Sequence, residues 1–355
     1  MNPHAPGQPS EGTPSAKRGM SAAKVAVQIV GAVASIALLA WCIRIALRDD
    51  NRAALERVLA GDPWLMLSML ALCALSLLAN GTLFVLTISP VRRVHWLSCC
   101  ATNAAATFLN NFPFKLSLAT RFLVHMRRDG IPLLMVASWI GATAVVILAV
   151  LAAPLAATVW RGKVDGWWWG ATGAGLVVGY VLIVGVAGLF AGERGRGRIE
   201  SIAARLRIPL LPRLLRTNAY ARMHTGLDML AGRRAVGAGF AMRILDTAFI
   251  AGRFAVAAKL AGVVASPGSI VLAATTYFFI GAVTPSGALG ARDGGTLGAL
   301  KFLPIAGVIG DDFAVVILTV TASEFIVNLC AASASALYLR FSKARPAREV
   351  TVVIR

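Results

Sequence analysis

An apolar segment of this chain is interrupted by Thr284-Pro-Ser-Gly-Ala-Leu-Gly-Ala-Arg-Asp293, which brings a proline, two glycines and two charges to hydrocarbon depth. A second interruption, Asn110-Asn111-Phe112-Pro113, leads to Arg121. A charge at the centre of a membrane helix costs about 2.5 to 3.5 kcal/mol on insertion scales. Plain hydrophobic anchoring would not incur that cost, so we expect function to reside at these interruptions.

The composition places the chain among polytopic membrane proteins. Hydrophobic residues make up 57% of its 355 residues, charged residues only 14%, and the mean hydropathy is +0.73. The net charge of +19 raises the alternative of nucleic-acid binding, but that would need a folded basic domain with stacking aromatic residues, and none is evident. Basic cytoplasmic loops that follow the positive-inside rule account for the charge instead.

Apolar runs long enough to span a bilayer recur along the chain. The predicted spans are Val25–Leu47, Trp64–Ile88, Pro132–Ala157, Gly166–Phe190, Ala235–Val264 and Phe313–Leu339. Basic flanks predict that both termini are cytoplasmic in an inner (plasma) membrane protein. The predicted organisation is a disordered cytoplasmic leader (1–23), a membrane domain (24–340) containing a basic cytoplasmic loop (about 191–234), and a basic cytoplasmic tail (341–355).

Two further apolar regions are too broken to be simple spans. The first comprises Trp96–Leu109 and a short segment that ends at Arg128, and the second begins near Ile270 and restarts after Gly290. We predict that each region is a re-entrant helical hairpin, the first entered from the cytoplasm and the second from outside. The predicted fold is therefore an all-α helical bundle with two inverted-topology re-entrant hairpins, an arrangement that indicates a binding site at the bilayer midplane.

A stripe of charges lies in the span that begins near Ala235. Arg243, Asp246 and Arg253 follow i, i+3, i+10 and are expected to share one inward-facing side of a helix. They could bind a headgroup or relay a proton, with Asp246 or Asp293 as the titrating group. Alternatively, Arg243 and Asp246 simply form an i, i+3 pair.

The other candidate binding residues lie at the two interruptions and in the last span. They are Asn110, Asn111, Arg121, Arg292 and Asp293, with Glu324 as an isolated acid that could couple protons or bond to another helix. Guanidinium stays charged and presents a donor fork that matches phosphate oxygens. The helices that restart after the interruptions would add N-terminal N–H groups. The amides could instead satisfy backbone groups at a helix break, and the Arg-Asp pair could merely close the second hairpin.

Metal and cofactor motifs are absent from the sequence. The four histidines are scattered, and the five cysteines show neither CxxC nor Cys/His spacing. The glycines near residue 290 are not followed by the Lys-Ser/Thr pair of a nucleotide-binding loop. We therefore expect no metal, no cofactor and no nucleic-acid partner.

The two interruptions also carry a family resemblance. Thr284 to Asp293 resembles the PxPGGxGxRE signature of the lysylphosphatidylglycerol synthase transmembrane (flippase-like) family, and Asn110 to Arg121 is similar to that family's first hairpin. The resemblance covers about Trp64 to Leu339. It implies a membrane region that moves lipids between leaflets, with the synthase activity in a separate soluble domain that we do not expect in this chain.

These observations predict a flippase-like transporter, not an enzyme. Its expected substrate is an anionic phospholipid or a polyprenyl-linked lipid, translocated through a central polar cavity. Two alternatives remain. One is a membrane enzyme that transfers a glycosyl or phosphoryl group on a lipid carrier, for which Asp311-Asp312 is the only candidate carboxylate pair. The other is a non-transporting envelope scaffold. Homo-oligomerisation is left open by the sequence.

Overall fold

The computed structural model describes residues 22–112, 115–205, 215, 217–284, 289–302, 311–344 and 346–349. Most of these residues are helical. The helices are α1 (Ala22–Ala46), α2 (Arg52–Leu59), α3 (Pro63–Ile88), α4 (Trp96–Leu109), α5 (Leu116–Arg128), α6 (Leu133–Arg161), α7 (Gly166–Phe190), α8 (Gly192–Arg205), α9 (Asn218–Ala231), α10 (Arg233–Ala261), α11 (Pro267–Val283), α12 (Ala291–Phe302) and α13 (Phe313–Phe341). Two short strands, β1 (Arg92–Arg93) and β2 (Arg348–Glu349), pair antiparallel.

Within these residues, five helices are long and apolar enough to cross a membrane. They are Ala26–Ala46 of α1, together with α3, α6, α7 and α13. The charge-bearing α10 is as long as α13, at 29 residues. At about 1.5 Å per residue, such a helix extends about 44 Å and exceeds the roughly 30 Å hydrocarbon layer. The chain is an all-α, multi-pass membrane protein, as the sequence predicted.

Local sequence signals set several helix starts. The Asp62 carboxylate accepts a hydrogen bond from the Trp64 backbone N–H (2.8 Å), and Pro63 occupies the first position of α3. The Asp165 carboxylate accepts from the Trp168 N–H (2.9 Å) at the start of α7. The predicted span that opens with Pro132 begins one residue later, with Pro132 as its N-cap. Side-chain acceptors satisfy the free N–H groups of a first helical turn.

Two helix pairs are too short to span. The helices α4 and α5 contain 14 and 13 residues, and α11 and α12 contain 17 and 12. Their lengths are about 18 to 26 Å, below the hydrocarbon thickness. These helices match the segments predicted from sequence for the two hairpins. Packing brings α4 against α13 and α12 against α1.

Contacts between helix ends define two ends of the bundle. At one, Arg48 pairs with Asp311 (2.6 Å), so α1 finishes beside the start of α13. At the other, β1 pairs with β2, and Arg128 donates to the Leu339 carbonyl (2.7 Å). We call the second the basic end, because it also contains α8 and α9, and the first the opposite end. Both helices of the α4–α5 pair therefore have their outer termini at the basic end.

Apolar side chains pack in two clusters along the bundle. One contains Phe254, Tyr277 and Phe313. The other contains Phe84 and Trp139, whose indole N–H donates to the Phe84 carbonyl (2.9 Å). The Trp139 side chain is fully buried, so its one polar group is satisfied inside the membrane domain.

Several predictions concern residues outside those that the structure describes. These include Pro113, residues 285–288 of the second interruption, the leader up to residue 21, residues 303–310, and the end of the tail from residue 350. Residues 206–214 of the predicted basic cytoplasmic loop also fall in this group, whereas the start of that loop lies in α8.

Candidate functional site

A cavity of about 250 Å³, with charged and polar side chains among its lining residues, lies inside the bundle. Its wall includes Phe84 of one apolar cluster and Tyr277 of the other. Four charged side chains line it, namely Arg121, Arg253, Arg292 and Glu324. The polar uncharged lining consists of Ser76, Asn80, Thr107, Asn110, Ser117, Thr143 and Asn328. Pockets for whole small molecules usually enclose about 300 to 1,000 Å³, and this cavity lies just below that range.

Glu324 lies near the middle of its helix. It lies eleven positions after Phe313, the first residue of the 29-residue α13, which corresponds to about 16 Å of helix. The cavity that it lines is therefore deep in the membrane domain rather than at a surface.

The Glu324 carboxylate joins two arginines from different helices. Its Oε2 accepts from Arg253 Nη1 of α10 (3.1 Å), and its Oε1 accepts from Arg292 Nη1 of α12 (2.8 Å). Glu324 is therefore not isolated in the structure, and of its two predicted roles the bond to another helix is the one that these contacts show. The sequence separates these residues by up to 71 positions, and only packing of α10, α12 and α13 brings them together.

Arg292 also links the two pairs of short helices. Its Nη2 lies 3.5 Å from the Asn111 side-chain oxygen, at the end of α4. Its guanidinium carbon lies 4.5 Å from the centre of the Tyr277 ring of α11. Asn111 itself donates to the Phe108 carbonyl (3.1 Å), so it both closes α4 and contacts the second interruption.

Arg121 is held by neutral groups. Its Nη2 donates to the Asn103 side-chain oxygen (2.8 Å), and its guanidinium carbon lies 4.1 Å from the centre of the Phe84 ring. No carboxylate of the described residues forms an ion pair with it. Arg121 therefore presents to the cavity a positive charge that no acidic side chain in this part of the chain balances.

The cavity has an excess of positive charge. Three arginines and one glutamate line it, so the charge of the lining is +3 − 1 = +2. Burying unpaired charge in an apolar environment is strongly unfavourable. An anion bound in the cavity would offset this cost.

Arg243 and Asp246 form a buried ion pair outside the cavity lining. Asp246 also accepts from the hydroxyl of Ser76, and the Arg243 guanidinium carbon lies 3.6 Å from the centre of the Phe278 ring. Ser76 and Phe278 both line the cavity. The Arg243–Asp246 pair therefore packs behind these two lining residues. All three residues of the predicted stripe are buried, but only Arg253 lines the cavity.

Asp293 contacts its own helix start rather than the cavity. Its Oδ2 accepts from the Gly290 N–H (2.8 Å), and its Oδ1 accepts from the hydroxyl of Thr321. The Gly290 N–H, one of the backbone donors at the start of α12 that were expected to face an anion, is therefore already bonded to Asp293. At α5, the residue before the first turn, Lys115, makes no side-chain capping bond, and Ser117 in that turn lines the cavity.

Sequence reasoning missed several polar residues of this region. Three of them lie on α3 and line the cavity, namely Cys73, Ser76 and Asn80. The sulfur of Cys73 lies 3.4 Å from Arg253 Nη1. Their spacing of three and four residues places them on one helical face. That polar stripe within an apolar span was the available signal. Asn103, which holds Arg121, had no such signal.

The carboxylate pair proposed for an enzyme lies away from the cavity. Asp311 accepts from Arg48 (2.6 Å) and from Lys301 at the opposite end. Hydrogen bonding to Lys301, followed by the charges of Lys301 and Arg48, lowers the pKa of Asp311. No group of three or more His, Cys, Asp or Glu side chains is placed to hold a metal ion within the described ranges.

The fold and the cavity together define a class, a multi-pass helical membrane protein with a buried cationic cavity. Comparison of the chain with protein-family models, with curated proteins and with solved structures gave no match.

Proposed function

We propose that this protein binds the phosphate of an anionic phospholipid or polyprenyl-linked lipid in the central cavity and moves that lipid between leaflets. The observation that carries the proposal is the +2 charge of the cavity lining at mid-depth in a membrane domain. A lipid phosphate needs paired polar groups to cross about 30 Å of hydrocarbon. The cavity supplies cationic partners at the depth where such a headgroup most needs them.

Arginine suits phosphate binding better than lysine, whose ammonium group acts as a point charge. The guanidinium has five N–H donors in a planar fork that matches phosphate oxygens. Asn103 accepts from one nitrogen of Arg121, which leaves other donors for a ligand. Arg253 and Arg292 share a single carboxylate, so a phosphate can compete with Glu324 for them.

The two short helix pairs support an inverted arrangement of re-entrant hairpins. The α4–α5 pair has its outer termini at the basic end, whereas α12 carries Lys301, which contacts Asp311 at the opposite end. The contact between Asn111 and Arg292 (3.5 Å) joins the two pairs beside the cavity. Broken helices that meet from opposite sides are the usual frame of a midplane substrate site in transporters.

The proposal includes three further points. The protein is a transporter and not an enzyme, and it belongs to the lysylphosphatidylglycerol synthase transmembrane (flippase-like) family that its two interruptions resemble. It lies in the inner (plasma) membrane with the basic end cytoplasmic, because α8 alone carries four arginines and cytoplasmic segments concentrate such residues.

The decisive experiment measures scrambling of fluorescent phosphatidylglycerol in proteoliposomes. We expect Arg121→Ala and Arg292→Ala each to slow scrambling about 10- to 150-fold, because a hydrogen bond to a charged group contributes about 1.5 to 3 kcal/mol. Arg127→Ala is the matched control for Arg121→Ala, since Arg127 lies on the same helix but is exposed. Its scrambling rate should remain that of the wild type.

Circular dichroism and size-exclusion chromatography verify that each variant is folded. Wild-type scrambling in both Arg121→Ala and Arg292→Ala, with correctly folded protein, would contradict the proposed role of the cavity.

A further inference from the structure

We propose that a groove on the side of the bundle holds one acyl chain of the phospholipid whose headgroup occupies the cavity. The groove encloses about 320 Å³ between α3, α4 and α13. Its lining is Ala74, Leu77, Leu78, Leu97, Cys100, Ala101, Ala104, Val327, Ala331, Ala334, Ser335 and Tyr338. The inference rests on the proposed function for the identity of the headgroup, but not for the presence of a chain.

The groove and the cavity share a wall. Leu77 lines both of them. On α13, Asn328 lines the cavity while its neighbour Val327 lines the groove. The two spaces therefore lie side by side, and a single ligand could place a charged group in the cavity and an apolar chain in the groove. Such a ligand has a polar head joined to an apolar chain, as a phospholipid does.

Small side chains create the groove. On α13, Val327, Ala331, Ala334 and Tyr338 follow at intervals of four, three and four residues and form one helical face. The helices beside it approach closely: a Cβ added at Gly81 of α3 would lie 2.9 Å from the Cys100 sulfur of α4. Alanine and serine make up six of the twelve lining residues, and their short side chains leave space between the helices.

The length of the groove matches one leaflet. Tyr338 lies eleven positions after Val327, which corresponds to about 16 Å along α13. Half of the roughly 30 Å hydrocarbon layer is about 15 Å. Leu78 and Leu97 on its rim are 43% and 49% exposed, so the groove faces the surrounding lipid and a chain can enter from the side.

The test uses the full chain in nanodiscs with phosphatidylglycerol that carries a photoreactive diazirine in its acyl chain. Crosslinked peptides are mapped by mass spectrometry. We expect the labels to concentrate on α3, α4 and α13, and Ala331→Phe, which fills the groove, to reduce them at least tenfold. Val181→Phe adds the same ring at an exposed position of α7 (57% exposed) and should leave the labelling unchanged.

A second variant and a second ligand distinguish the groove from the headgroup site. Ala334→Leu, at another exposed lining position, should reproduce the loss of label if Ala331→Phe does not fold. Binding of soluble glycerophosphoglycerol should persist in both groove variants. If Arg121→Ala fails to slow scrambling while Ala331→Phe still loses the label, the proposed function fails and the chain site stands.

Two results would overturn the inference. One is unchanged labelling of α3, α4 and α13 in the folded groove variants. The other is a dimer whose crosslinks join two copies through these residues, which would identify the groove as a subunit interface.

Discussion

Replacing Glu324 with glutamine tests the charge balance of the cavity most directly. The substitution keeps the size of the side chain and one hydrogen-bond acceptor, but it removes the only carboxylate among the described residues that line the cavity. The charge of the lining rises from +2 to +3. Arg253 and Arg292 both lose their anionic partner, at 3.1 and 2.8 Å respectively.

The magnitude follows from the burial of these pairs. Breaking a buried ion pair by removing one partner costs about 3 to 5 kcal/mol, because a charge is left without compensation. An anionic lipid that binds only the folded state at 100 times its Kd restores about 2.7 kcal/mol. Most of the lost stability should therefore return when the lipid is present, since its phosphate takes the place of the carboxylate.

The assay is the apparent melting temperature in neutral detergent, with and without phosphatidylglycerol. We expect Glu324→Gln to melt below the wild type without lipid and to show a larger upward shift with it. Glu56→Gln is the matched control, because Glu56 forms an exposed i, i+4 pair with Arg52 (3.0 Å) of the type that contributes only about 0.3 to 0.5 kcal/mol. If Glu324→Gln behaves like Glu56→Gln in both conditions, Glu324 is not the counter-ion of the cavity.

Two further changes test local features of the fold. Gly290 has φ +81°, and an added Cβ would lie 2.0 Å from the Ser35 carbonyl oxygen of α1, so Gly290→Ala should lower the melting temperature. Gly298→Ala is the control and should not lower it, because an added Cβ at Gly298, on the helix α12 that follows Gly290, meets open space. At Asp165, hydrogen bonds first from Arg161 and then from the Trp168 N–H lower the pKa from 3.8 to about 2, so the stabilisation is present above pH 3.8 and lost as the pH falls toward 2. The melting difference between wild type and Asp165→Ala should shrink over that interval, and a constant difference would contradict this assignment.

The sequence predicted the helical framework well. Long apolar runs that begin at Asp62-Pro63 and at Asp165 specify helices through hydrophobicity and local hydrogen bonding. The interruptions after Leu109 and before Ala291 were also legible, because Asn, Pro and Gly disfavour continuation of a helix. All of these features depend on neighbouring residues in the chain.

The sequence predicted individual residues of the candidate site but not the contacts between them. The sequence identified Arg121, Arg253 and Arg292 as charges in apolar surroundings, but it gave Glu324 no partner. It also could not separate Arg253, which lines the cavity, from the Arg243–Asp246 pair, which lies behind the wall. The difference depends on which side of α10 faces α3, and helical periodicity alone does not specify that.

By itself, then, the sequence determined that this is an all-α, multi-pass membrane protein with costly charges at two helix breaks. Those properties follow from hydropathy and local backbone preference. Only the tertiary structure decided that Arg253 and Arg292 share the Glu324 carboxylate, that Arg121 lines the same cavity, and that an apolar groove lies alongside. The contacts with Glu324 join residues up to 71 positions apart and arise from the packing of helices whose apolar surfaces fit many partners equally well.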